Sequence, residues 1–302
     1  MDRIFTSLLI KTIGFYINFL SYVFPKKATK LAYKFFSEPR EGRLKPNLIP
    51  EVLQEAEIEF ISLDNHNFPI YFWKGNENKV LLVHGWESNA ARWEPFLPYL
   101  KKHGSSIIAL DGPAHGLANG VEFNVPQYAA FINHVVQKHR PQVIIGHSIG
   151  GSACLYYQHR YNSPYLQKMV LLGAPSDLEI LLTNYVKLLG LNTRVLQQLN
   201  HFFSQRFNIK VEEFQGKLLA STLQLDGIIS HDVEDNVVAF SESKKIASAW
   251  KNATLIETKG LGHSMHDDDL YQKITTNLLA VVPVPAGTNF TNEILTNVGS
   301  LS

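Results

Sequence analysis

Short, continuously apolar runs recur along this chain between longer stretches of helical periodicity. Val80-Leu81-Leu82-Val83 and Val143-Ile144-Ile145 are the clearest. A strand with one wet face alternates apolar and polar residues, whereas a strand buried on both faces has no polar side to show. Such runs call for a mostly parallel sheet covered by helices on both faces, an α/β architecture. The candidate strands are Glu57 to Leu63, Phe68 to Trp73, Lys79 to Val83, Ser106 to Leu110, Gln142 to Ile145, Lys168 to Leu172, Asp226 to Ser230 and Thr254 to Glu257. The first two flank the turn-rich Asp64-Asn65-His66-Asn67 and are expected to pair as an antiparallel hairpin. Eight strands in 302 residues fit one large domain.

Two regions stand outside this alternation. Asp177 to Leu219 lacks a strong strand signal and reads as helices over Leu178 to Leu189 and Thr193 to Phe207, with a shorter piece near Val211 to Leu219. Inserted at the C-terminal strand ends, where open α/β sheets bind ligands, it is expected to act as a lid. The second region is residues 1–50, a hydrophobic helical extension closed by a Pro/Gly-rich linker; the main domain is expected over 51–302. Ile4 to Phe24 approaches bilayer-spanning length, but Lys11 lies inside it and Asn18 dilutes it. Met1-Asp2-Arg3 and the absence of an A-x-A site do not suit a secretory signal. Three readings stay open: a helix docked on the protein or on a second copy, a helix lying on a membrane with Lys26, Lys27 and Lys30 near anionic headgroups, or a true span. From Val284 onward the composition suggests a loose tail.

Composition narrows the function classes. A formal net charge of +1 argues against a whole-surface nucleic-acid binder. One cysteine, Cys154, allows neither an intramolecular disulfide nor a Cys-rich zinc site, and it suits a reducing, cytoplasmic setting. The chain has no P-loop, no G-x-G-x-x-G after a strand and no H-E-x-x-H, so no cofactor or metal is expected. Asp267-Asp268-Asp269 reads as a helix N-terminus, where carboxylates complement the dipole.

One motif carries chemistry. Gly146-His147-Ser148-Ile149-Gly150 follows the strand Val143-Ile144-Ile145 and precedes a plausible helix beginning at Ser152. That is the strand–turn–helix setting of a nucleophile elbow, whose serine sits on a strained turn with no room for side chains two residues away on either side.

From about Phe60 to Leu279 the chain resembles the α/β-hydrolase fold family and the esterase- and lipase-like serine hydrolases within it. The matching pieces stand in the family's order: His84-Gly85-Trp86, Asp111-Gly112-Pro113-Ala114-His115-Gly116, the Ser148 elbow, His231-Asp232-Val233-Glu234-Asp235-Asn236-Val237-Val238, and Gly260-Leu261-Gly262-His263. The resemblance implies a triad in chain order Ser, Asp or Glu, His. Ser148 is then the nucleophile and His263 the general base. Asp235 is favoured over Asp232 as the acid because it fits the family's D-x-x-V spacing. The oxyanion hole is expected from the backbone amides of Ile149 and Trp86. His147 is assigned structural support, and His84 and His115 packing beside the site. Dehalogenases and epoxide hydrolases of this fold carry Asp at the elbow, so Ser148 argues against both.

The expected reaction is cleavage of a carboxylic ester through an acyl-enzyme. Part of the apolar set Leu178, Ile180, Leu181, Leu182, Leu188, Leu189, Phe202 and Phe203 is expected to line an acyl pocket, which favours hydrophobic esters as the small-molecule partner. The same machinery serves thioesters, amides and carbon–carbon bonds next to a carbonyl. A non-catalytic binding protein on this scaffold is the alternative outside enzymes. Oligomeric state stays open.

Overall fold

The computed structural model describes residues 3–279. The tail expected from Val284 lies outside the described residues. The strands are β1 Glu57–Leu63, β2 His66–Trp73, β3 Lys79–Val83, β4 Ser106–Leu110, β5 Val143–His147, β6 Lys168–Leu172, β7 Asp226–Asp232 and β8 Ala253–Thr258. The helices are α1 Arg3–Val23, α2 Pro25–Ser37, α3 Glu51–Gln54, α4 Leu97–Lys102, α5 Val125–His139, α6 Ile149–Tyr161, α7 Leu178–Leu189, α8 Thr193–Phe207, α9 Gly216–Ser221, α10 Phe240–Ala249 and α11 Asp268–Leu279.

One eight-stranded sheet runs in the order β1-β2-β4-β3-β5-β6-β7-β8. β2 is antiparallel to β1 and β4, and the pairs from β3 onward are parallel. The β1–β2 hairpin turns at Asp64, whose φ of 52° is a conformation Asp tolerates. Two apolar layers sandwich the sheet. One gathers Phe131, Ile132, Leu155, Tyr157 and Trp250 against Leu81 and Ile144. The other gathers Trp93, Phe96, Leu100, Tyr271 and Ile274 against Leu82 and Ile145. Alternate residues of β3 and β5 thus enter opposite layers, which is why Val80-Leu81-Leu82-Val83 and Val143-Ile144-Ile145 are apolar throughout.

Register sets the functional edge. Val83 lies opposite both Leu110 and Gly146, and Leu172 lies opposite both His147 and Ser230. The residues that follow β3, β4, β5, β6 and β7 therefore emerge along one edge. β5 and β7 each run two residues beyond the apolar signal, to His147 and Asp232, because those polar side chains are buried and hydrogen-bonded. The short helical piece expected near Val211 is a 3-10 turn, Val211–Glu213, followed by α9.

The insertion between β6 and β7 is closed at its base. Asp177 bridges Gln215, its Oδ1 accepts from the Gly216 amide at 3.1 Å, and Lys245 of α10 donates to its Oδ2 at 2.8 Å. The outer part of the insertion packs against the N-terminal helices. Leu182, Leu189, Leu199 and Phe203 form one apolar cluster with Ile17, Leu20, Ala32 and Tyr33. Phe202 packs tilted and Phe203 edge-on against the Tyr33 ring. Much of the apolar set expected to divide between sheet and acyl pocket is thus taken up by α1 and α2; Leu178 and Leu181 do pack against the central core. Gly14 permits the closest crossing, since a Cβ there would meet the Leu189 carbonyl oxygen at 1.7 Å. Residues 38–50 do not hang as a free linker: Leu44 donates to Gly116 O at 2.9 Å and Gly116 to Gly42 O at 2.8 Å. Among the described residues no helix is long and apolar enough to cross a membrane.

Candidate active site

Ser148 sits between β5 and α6 with φ 53° and ψ −131°. A non-glycine residue held there costs on the order of 1–3 kcal/mol, which the surrounding structure must override. Tight packing does so. A Cβ on Gly146 would meet Gly151 Cα at 2.7 Å, and one on Gly150 would meet the His84 carbonyl oxygen at 2.3 Å. The Ser148 amide donates to Leu172 O at 2.8 Å, which fixes the turn to the neighbouring strand.

His263, in a 3-10 turn beyond β8, reaches the serine. Its Nε2 lies 2.9 Å from Ser148 Oγ and its Nδ1 lies 2.7 Å from Asp235 Oδ2. The Asp235 side chain is wholly buried. Its Oδ1 accepts from the Val237 and Val238 amides at 2.8 and 3.0 Å, leaving Oδ2 aimed at the imidazole. A carboxylate on Nδ1 keeps the proton on that nitrogen, so Nε2 presents a lone pair to the serine hydroxyl.

Asp232 does different work. Its Oδ1 accepts from the Glu234 amide at 2.9 Å, and its Oδ2 from Thr258 Oγ1 at 3.1 Å and the Leu261 amide at 2.8 Å. Burial alone would raise its pKa, but these donors outweigh it and hold the carboxyl below the usual range. Asp232 thereby ties β7 to the loop that carries His263.

That loop is gripped at two further points. His147 Nε2 donates to the His263 carbonyl at 2.7 Å, and Arg92 donates to the Ser264 carbonyl at 3.0 Å. Burial, reinforced by the Arg92 charge, holds the His147 pKa well below its ordinary value. The ring is therefore neutral, and since a carbonyl only accepts, its proton is on Nε2. Two more residues border the acid and base. His231 Nε2 is 2.9 Å from Val238 O and 3.3 Å from Asp235 Oδ2, while its Nδ1 is 2.6 Å from Ser243 Oγ. Gly173 leaves room behind the pair: a Cβ there would lie 3.5 Å from His263 Nδ1 and 3.6 Å from Asp235 Oδ2. The roles of Arg92, His231 and Gly173 escaped the sequence reading. The one available signal was the glycine directly after β6, and its meaning depends on residues far along the chain.

The loop after β3 closes the other side. A Cβ on Gly85 would approach Ser148 Cβ to 2.9 Å, so His84-Gly85-Trp86 passes directly against the serine. Two neutral histidines hold it. His84 Nε2 accepts from the Gly112 amide at 2.8 Å while Nδ1 donates to Gly85 O at 2.7 Å. His115 Nε2 accepts from the Glu87 amide at 2.9 Å while Nδ1 donates to Pro113 O at 2.9 Å, and burial pushes its pKa down to about 4. Asp111 locks the base of both loops, accepting from Ala90, Leu117 and Tyr71. Among the described residues, neither the Ile149 nor the Trp86 amide donates to a protein acceptor. Nor does any cluster of three or more His, Cys, Asp or Glu side chains suit a metal ion.

The arrangement is a hydroxyl, an imidazole and a buried carboxylate in one hydrogen-bonded series. Known proteins agree at the level of fold and broad chemistry. Residues 78–236 match the family model described as alpha/beta hydrolase fold. The bifunctional esterase/perhydrolase DCH of Acinetobacter calcoaceticus is 27% identical over 253 residues, 67% of this chain and 91% of that protein. Among solved structures, a bromoperoxidase from Bacillus anthracis superposes with a TM-score of 0.58 at 16% identity, covering 74% of this chain and 99% of that one. A meta-cleavage product hydrolase from Pseudomonas fluorescens superposes with a TM-score of 0.56 at 17% identity, covering 75% and 98%. With the elbow, the loops and the sheet order all in place, the chain belongs to the alpha/beta-hydrolase fold family and is a hydrolase of that family.

Proposed function

We propose that the protein is a serine hydrolase that cleaves carboxylic esters of hydrophobic acyl groups through an acyl-enzyme. The observation that carries this is the continuous hydrogen-bonded series from Asp235 through His263 to Ser148, at 2.7 and 2.9 Å. A serine hydroxyl is a weak nucleophile at neutral pH and needs such a base. Ser148 Oγ attacks the ester carbonyl carbon as His263 Nε2 takes its proton. The carbonyl oxygen becomes an oxyanion that accepts from the Ile149 and Trp86 amides. The carbon–oxygen bond to the alcohol then breaks, and His263 returns the proton to the departing alkoxide. Water, deprotonated by His263, attacks the acyl-Ser148 ester; the bond to Ser148 Oγ then breaks as His263 gives the proton to that oxygen, releasing the carboxylic acid and the free serine. Asp235 keeps the imidazole oriented and steadies its charged form without taking the proton. Each oxyanion donor is worth about 3–4 kcal/mol in reactions of this kind.

The preference for hydrophobic acyl groups rests on Trp86, Leu178 and Leu181, which are only partly buried where they pack on the central core. The insertion bearing the two leucines is proposed as the lid. On p-nitrophenyl esters of increasing chain length, kcat/KM is expected to rise from acetate to a medium chain. Each well-buried methylene should contribute up to about 0.8 kcal/mol, or several-fold. A flat or falling series removes the hydrophobic-acyl assignment. Absence of hydrolysis for every ester removes the esterase reading.

A further inference from the structure

α1 is amphipathic in the wrong sense for a helix facing water. The side it turns toward the protein carries Gly14, Asn18 and Ser21 along with Ile17 and Leu20. Asn18 Nδ2 donates to Gly190 O at 2.8 Å, its Oδ1 accepts from the Asn192 amide at 2.8 Å, and Ser21 Oγ lies 3.3 Å from Asn192 Nδ2. The opposite side carries Phe15, Tyr16, Phe19, Tyr22 and Val23, exposed by 75, 53, 57, 68 and 50%. Phe24, next along the chain, is exposed by 51%. Contiguous exposed apolar surface of this kind marks an interaction site.

Charge identifies the occupant. From Leu8 to Ser37 the sequence holds five lysines and no Asp or Glu, in a chain whose net charge is only +1. Lys11, Lys26, Lys27 and Lys30 are all exposed around the aromatic patch. Lys27 sits 5.0 Å from the Phe24 ring centre and Arg194 sits 5.4 Å from that of Tyr22. A two-fold pairing with a second copy would bring like charges together around an apolar centre. A negatively charged bilayer surface satisfies both components, with rings at headgroup depth and lysines among the phosphates. We propose that α1 and the start of α2 form a docking surface for anionic membranes, with the α1 axis in the plane of the interface. Since α1 is clamped to α7 and α8 by its opposite side, docking holds the insertion behind α1, one helix away from the lipid. The proposal concerns binding and stands apart from the ester chemistry.

The test uses the full chain and sedimentation with phosphatidylcholine vesicles, with and without phosphatidylglycerol. The wild type is expected to pellet with the anionic vesicles and to stay mostly in solution with the neutral ones. Phe15→Ser/Phe19→Ser/Tyr22→Ser should lower partitioning at least tenfold with the thermal midpoint retained, since those side chains already face outward. Lys26→Glu/Lys27→Glu should abolish the preference for the anionic lipid. Wild type that remains in the supernatant, or a triple variant that pellets equally well, overturns the proposal. So does a wild-type dimer in analytical ultracentrifugation that the triple variant dissolves, which would assign the face to a second copy.

Discussion

Ser148→Ala is expected to lower kcat toward p-nitrophenyl esters by about 10⁴- to 10⁶-fold while leaving the fold intact. The size follows from what the variant removes. On the proposed mechanism no acyl-enzyme forms without Oγ, and His263 loses the hydroxyl that lies 2.9 Å from its Nε2. The amides of Ile149 and Trp86 survive, so a residual acceleration of about 10³- to 10⁴-fold over water should persist. Alanine carries the same backbone penalty as serine at φ 53°, so stability should scarcely change. Steady-state rates and a thermal melt on the same preparation check both halves. A variant retaining a tenth of wild-type kcat would contradict the assigned nucleophile.

The second large effect separates the two aspartates. Asp235→Ala should cost about 10⁴-fold in kcat, because the imidazole loses the partner that sets its tautomer and steadies its charge. Asp232→Ala should act mainly on stability. Removing that carboxylate leaves the Leu261 and Glu234 amides and the Thr258 hydroxyl without their acceptor in a buried site. A loss of roughly 2–4 kcal/mol is expected from leaving such donors unsatisfied. Below its melting temperature the folded fraction should keep kcat within about tenfold, since the Asp235 contact is untouched. Denaturant midpoints and kcat on both variants decide it; the reverse pattern would make Asp232 the acid.

Much of the sheet was legible because its cause is local. A strand buried on both faces calls for a run of apolar residues, and each of Lys79–Val83, Ser106–Leu110 and Lys168–Leu172 is such a run behind a single polar first residue. β5 and β7 outrun it because His147 and Asp232 are polar yet satisfied within the fold. The same contrast governs the site. Ser148, Asp235 and His263 stand in motifs with a recognisable order, and the structure brings the three together. Arg92, His231 and Gly173 do not announce their roles locally, even where a glycine follows a strand or a histidine opens a matching segment, since their significance lies in partners such as Ser264, 172 residues from Arg92. α1 shows the limit most plainly. In sequence, Asn18 and Ser21 only dilute an apolar run; in the fold they form its docking side against Gly190 and Asn192, and the aromatics are left outside. Pattern alone could not say which side of a mixed helix would meet the insertion, because the apolar residues that α7 and α8 contribute were themselves open between a pocket wall and a contact surface.

The proposed nucleophile can be tested without knowing the substrate. A fluorophosphonate mimics an ester carbonyl and traps an activated serine as a stable phosphonyl adduct with loss of fluoride. Treatment of the folded wild type should add one phosphonyl mass, peptide mapping should place it on Ser148, and Ser148→Ala should remain unmodified. Folded protein that takes up no phosphonate, or takes it up on another residue, would contradict the account.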